Sequence, residues 1–131
     1  MLQDYSLMEY RPWLESHGIT IERKLIYETA FDGVVKVYLL RTKNEQINQL
    51  LKDNYFGDFG YRTSKGVLLR KFKNKTSWPK TRLAHLDLAN NTLKELLRTR
   101  SSWNTWTVQK LDDLTYEVSV SPNKAIKVKI D

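Results

Sequence analysis

The chain has 131 residues, no cysteine, and 22 Lys and Arg against 15 Asp and Glu, for a net charge of +7. That length is about one domain, and 36 Leu, Ile, Val and Phe are enough to build one core without metal or disulfide staples. The missing thiols exclude disulfides, thiol catalysis and cysteine-ligated zinc. No apolar run approaches the ~18–20 residues of a membrane span. The opening MLQDYSLMEYRPW carries acids where a secretory signal needs bases. The expectation is an intracellular, cytoplasmic protein with no membrane partner.

Pro12 through Gly18 reads as a short helix, with proline near its first turn and glycine at its end. Ser6-x-x-Glu9 offers an earlier capping box, which would leave Pro12 inside the helix as a bend. A hairpin follows. Ile19, Ile21, Leu25 and Tyr27 share one face, with Arg23 as an exception, and Asp32-Gly33 supplies the turn. In the return strand Val35, Val37 and Leu39 face one way. Val34, Tyr38 and Leu40 face the other, which makes the strand buried on both sides and central.

Residues 43–55 read as an amphipathic helix. Thr42-x-x-Glu45 caps it, and Ile47, Leu50, Leu51 and Tyr55 form its stripe. A second hairpin spans about 60–64 and 67–73 and turns at Ser64-Lys65-Gly66. A polar, basic loop runs from Asn74 to Lys80. His85-Leu86-Asp87-Leu88 then alternates like a strand, although a helix starting near Ser77-Trp78-Pro79 is an alternative. Thr92-x-x-Glu95 opens a further helix to about Arg100, with Leu93, Leu96 and Leu97 inward. Strands around Trp106/Val108, Tyr116/Val118/Val120 and Ile126/Val128/Ile130 close the chain, separated by turns at Asp112-Asp113 and Ser121-Pro122-Asn123. The expected class is α+β: one domain over residues 1–131, a mainly antiparallel sheet of hairpins with two to three amphipathic helices. The matching spacing of Ile47/Leu50/Leu51 and Leu93/Leu96/Leu97 also raises an internal duplication.

The charge is concentrated. Residues 1–58 hold 7 bases and 9 acids, residues 59–110 hold 12 bases and 2 acids, and residues 111–131 hold 3 bases and 4 acids. No acid occurs between Asp58 and Asp87. Lysine and arginine neutralise phosphates and release counterions, and aromatic faces stack on unpaired bases. The candidate binding residues are therefore Tyr61, Arg62, Lys65, Arg70, Lys71, Lys73, Lys75, Trp78, Lys80, Arg82, Lys94 and Arg98. Each has a plainer role open to it. Lysine on a hairpin discourages edge pairing, Trp78 can fold back over a core edge under lysine stems, and Arg98 and Arg100 can complement a helix macrodipole. Trp106 belongs to the core, whereas Trp103 lies in a polar loop.

No Walker A, GxGxxG or G-x-S-x-G motif occurs, and the reading assigns no catalytic residue, metal or cofactor. His85 and Asp87 read as the polar face of a half-buried strand, and Asp112-Asp113 as a turn. The first expectation is a nucleic-acid-binding protein that sets its basic hairpin and loop, about residues 61–82, against the phosphate backbone of DNA or RNA. The alternative is a small inhibitor, like those phages deploy against host defences, docking the same face on an acidic surface of a nucleic-acid-handling protein. A metal-dependent nuclease comes third and requires Asp58, Asp87, Asp112 and Asp113 to converge.

Overall fold

Strand periodicity, not helical periodicity, governs most of the described residues. The computed structural model describes residues 8–28, 35–101, 103 and 105–130. In chain order these form β1 (Arg11–Ser16), β2 (Ile19–Glu28), β3 (Lys36–Arg41), α1 (Glu45–Leu51), β4 (Tyr55–Arg62), β5 (Gly66–Phe72), β6 (Thr81–Asp87), β7 (Thr92–Thr99), β8 (Thr107–Lys110), β9 (Thr115–Ser121) and β10 (Lys124–Lys129). β1 to β7 make one antiparallel sheet in sequence order, and β8 to β10 make a second, with β9 in the middle. The α+β expectation is thus overturned: the protein is mostly antiparallel sheet with a single short helix among its described residues.

Two expected helices are strands. Pro12 and Gly18 do not bracket a helix. His17 and Gly18 are the two left-handed residues of a tight turn (φ 54° and 73°) joining β1 to β2. Pro12 lies at a bulge in the edge strand, where its missing N–H costs nothing. The leucines of 92–100 mislead through another bulge. The register of β6 with β7 shifts between Leu83/Leu97 and Ala84/Glu95, leaving Leu96 as the extra residue. Leu93 then packs with the cluster on one side of the sheet, while Leu96 and Leu97 pack with the cluster on the other. A bulged strand so reproduces the i, i+3, i+4 spacing of a helix face. The duplication falls with it, because Ile47/Leu50/Leu51 are helical and Leu93/Leu96/Leu97 are not.

The expected helix over 43–55 is present but shorter. Its N-cap is Asn44, whose side chain accepts from the Ile47 amide at 3.1 Å, instead of Thr42. The first hairpin's strands, the second arm of the next hairpin and the three C-terminal strands lie about where alternation puts them, the first arm of that second hairpin starts earlier, at Tyr55, and β3 sits inside the sheet between β2 and β4. The Asp32-Gly33 turn, Val34 and Ser6 lie outside the described residues.

β5 organises the packing. Val67 and Leu69 face α1 and join Ile21, Leu40, Ile47, Leu51, Phe56 and Leu86. Leu68, on the other face, joins Leu83, the second sheet's Tyr116, Val118, Val120 and Val128, and the flanking Trp106 and Ile130. A third cluster sets Val35 and Val37 beside Phe72, with Trp78 against them. The large sheet curls until β1 crosses its middle strands, and the Ser16 and His17 side chains reach the carbonyls of Gly66 and Ser64. Gly60 permits that crossing, since a Cβ there would lie 2.6 Å from the Trp13 indole. No helix among the described residues is long and apolar enough to cross a membrane.

Candidate functional site

Antiparallel order places the end of β5, the start of β6 and the end of β7 side by side. Lys71, Arg82 and Arg98 are successive partners across these strands, as are Phe72, Thr81 and Thr99. At this end of the sheet lies a cleft of about 470 Å³ lined by Lys73, Ser77, Lys80, Thr81, Arg82, Arg98, Thr99, Arg100 and Lys124. Six of these nine side chains are cationic, three carry hydroxyls, and none is acidic. One wall is the loop between β5 and β6, where Asn74 Oδ1 accepts from the Thr76 amide and Ser77 O accepts from the Lys80 amide. Lys124 comes from the other sheet, at the start of β10.

One carboxylate stands beside the cleft. Glu95 pairs with Arg82 at 2.6 Å and Lys71 at 3.1 Å, and more loosely with Arg98 at 3.8 Å. Partial burial opposes its charge, but the hydrogen bonds and positive charge of Arg82 and Lys71 outweigh that and hold its carboxyl below the usual range. Among the described residues no ion pair is made by Lys73, Lys80, Arg100 or Lys124. Four cations there consequently lack a carboxylate partner.

Directly behind the cleft Arg70 is buried, at 2% exposure, on the face of β5 that points to the second sheet. Its guanidinium carbon lies 4.6 Å from the Trp78 ring and 4.0 Å from the Trp106 ring. Nε donates to Thr81 Oγ1, Nη1 to the Trp103 carbonyl and Nη2 to the Ser101 carbonyl, at 2.9 to 3.0 Å. Burial pulls its pKa down to about 9, which still leaves it protonated at neutral pH.

Of the twelve expected binding residues, the fold gathers Lys73, Lys80, Arg82 and Arg98 in the cleft, with Lys71 adjoining through Glu95. Lys75 is exposed on the same loop, its ammonium 6.0 Å from the Tyr27 ring centre. Arg62 and Lys65 lie at the opposite end of β5, roughly 20 Å away along a seven-residue strand. Lys94 joins Lys65 around a separate hollow there. Three members turn inward. Arg70 is buried, Trp78 is half-buried edge-on to Phe72, and Tyr61 packs edge-on to Tyr116. Five of the nine lining residues stand outside the expected twelve, and two of these are cations. Arg100 was assigned to a helix dipole that a strand does not have, and Lys124 lies outside the basic stretch, so no local signal marks it.

The carboxylates of the nuclease reading are not brought together. Asp58 pairs with Arg23 on β4 and β2, and Asp112 accepts from the Leu114 amide in the β8–β9 turn. Asp87 holds the β6–β7 turn by accepting from the amides of Ala89 and Asn90 and from the Asn90 side chain. Burial opposes its charge, yet those donors keep its carboxyl below the normal range. No group of three or more His, Asp or Glu able to hold a metal occurs among the described residues. Nothing among protein-family models, curated proteins or solved structures matches this chain, so the functional reading rests on its own geometry.

Proposed function

We propose that the protein binds the phosphate backbone of nucleic acid in the cleft at the end of the large sheet. The observation that carries this reading is the cleft's lining: six cations and three hydroxyls converge there with no acid. Like charges gather at such density at a cost that a bound polyanion relieves. Lys73, Lys80, Arg82, Arg98, Arg100 and Lys124 supply charge, and Ser77, Thr81 and Thr99 supply neutral hydrogen bonds to phosphate oxygens. No aromatic side chain lines the cleft, so the reading assigns it phosphate contacts and no base stacking.

The test is the salt dependence of binding to a labelled duplex. Engagement of four to six cations gives a slope of log K against log salt of about −4 to −5. The triple variant Lys80→Glu/Arg100→Glu/Lys124→Glu abolishes binding. A parent protein without nucleic-acid affinity at low salt overturns the reading. Loss of a protein partner from the triple variant would then assign the cleft to an acidic protein surface instead.

A further inference from the structure

Four stretches of chain line the cleft, Lys124 of β10 being one, and a single buried side chain ties together the three that belong to the large sheet. Ser77, Lys80 and Thr81 belong to the first stretch, Thr99 and Arg100 to the second, and Lys73 follows β5 itself. Arg70 sits on β5 three residues before Lys73. It donates to Thr81 Oγ1 in the first stretch and to the Ser101 carbonyl immediately after Arg100 in the second. Its plane also meets the Trp78 indole, which lies between Ser77 and Lys80. Trp106 closes the far side, and the Trp103 carbonyl takes the remaining bond. An aliphatic side chain of similar length would fill this space but tie none of it together. A lysine would keep the charge but lose the planar fork that reaches two carbonyls at once.

We propose that Arg70 is the positioning residue of the cleft, fixing the spacing of its walls from behind while touching no phosphate. The proposal rests on the phosphate-binding reading for its affinity readout but not for its structural one. Two features set this role apart from ordinary core packing. The three donors all end on, or one to three residues beyond, wall residues, and none ends in the main apolar clusters. The stacked partner Trp78 is itself part of the wall loop.

The test compares the parent with Arg70→Met, Arg70→Lys and Arg100→Ala by amide hydrogen exchange and by the salt dependence of duplex binding. In Arg70→Met, exchange is expected to accelerate about tenfold over residues 77–82 and 99–101 and to stay unchanged in β2 and β3. Its affinity falls about tenfold while the salt slope stays at the parent value, because no phosphate contact has gone. Arg100→Ala, by contrast, lowers the slope by about 0.9 with unchanged exchange. If Arg70→Met fails to fold, Arg70→Lys decides, with the same local exchange expected. A slope lowered by about 0.9 in the Arg70 variants would make the residue a direct contact and overturn the proposal. Unchanged exchange in the walls overturns it too. Should the parent bind no nucleic acid, the phosphate reading fails alone, and the exchange result still decides what Arg70 does.

Discussion

At the scale of the single residue, His85 is governed by burial, unlike Glu95 and Asp87, where hydrogen bonds and charge outweigh it. His85 Nε2 and the Thr63 hydroxyl share a hydrogen bond at 2.8 Å, and Thr63 Oγ1 also accepts from the Gly66 amide. Burial lowers its pKa to about 4, with Lys65 adding to the effect and Asp87 opposing it. Above about pH 6.5 the ring is neutral in both folded and unfolded chains, and its contribution to stability is complete. As pH falls from 6.5 toward 4 the unfolded chain takes up a proton that the fold refuses. Stability then declines by up to about 1.4 kcal/mol per pH unit and levels off below 4. Urea midpoints at pH 7 and pH 5 measure this, and His85→Asn flattens the difference. Gly66 supplies a second case, because a Cβ there would lie 1.9 Å from the Leu86 carbonyl oxygen. Gly66→Ala therefore costs at least about 2 kcal/mol in a denaturation series. The strand alternation around His85 and Asp87 was legible in the sequence, although both are more deeply buried than a half-buried strand implies. Arg70 was legible in principle: Leu68 and Phe72, two residues either side, share its face and are buried. Its membership of a basic run hid that parity.

At the scale of elements, phase decides what a sequence reveals. Strands with unbroken alternation, such as β9 and β10, were legible from side chains alone. β7 was not, because one extra residue changes which face the following leucines take, and the resulting spacing coincides with that of a helix. β1 was obscured by punctuation common to both structures, since a proline at an edge bulge and a glycine in a tight turn also begin and end helices. Arg23, the polar exception in β2, has a structural cause that no local pattern contains. Its guanidinium packs 4.8 Å from the Trp13 ring and 4.4 Å from the Tyr38 ring and pairs with Asp58, all on other strands. The one helix depends on its cap. Asn44→Ala removes the side-chain acceptor for the Ile47 amide and is expected to cost about 1 kcal/mol in chemical denaturation.

For the molecule as a whole, the charge asymmetry in the sequence located the cleft only in part. The basic stretch folds into a hairpin about 20 Å long with cations at both ends, so adjacency in sequence became separation in space. At the Lys73 end the sheet register adds Arg98 and Arg100, and the second sheet adds Lys124. Single substitutions at the two ends should therefore differ. Lys80→Ala lowers the salt slope of duplex binding by about 0.9, whereas Arg62→Ala leaves it unchanged.

The position of Lys124 carries a consequence for folding. β1 to β7 pair in sequence order, so the large sheet can assemble from neighbouring hairpins. The proposed binding cleft gains its Lys124 only after β8–β10 dock on the large sheet. A ligand that requires Lys124 discriminates against every partly assembled form and acts as a clamp between the two sheets. At a hundred times its dissociation constant it adds about 2.7 kcal/mol to the unfolding free energy of the docked state. Lys124→Ala loses part of that protection with little change in unliganded stability, which paired thermal melts with and without duplex would record.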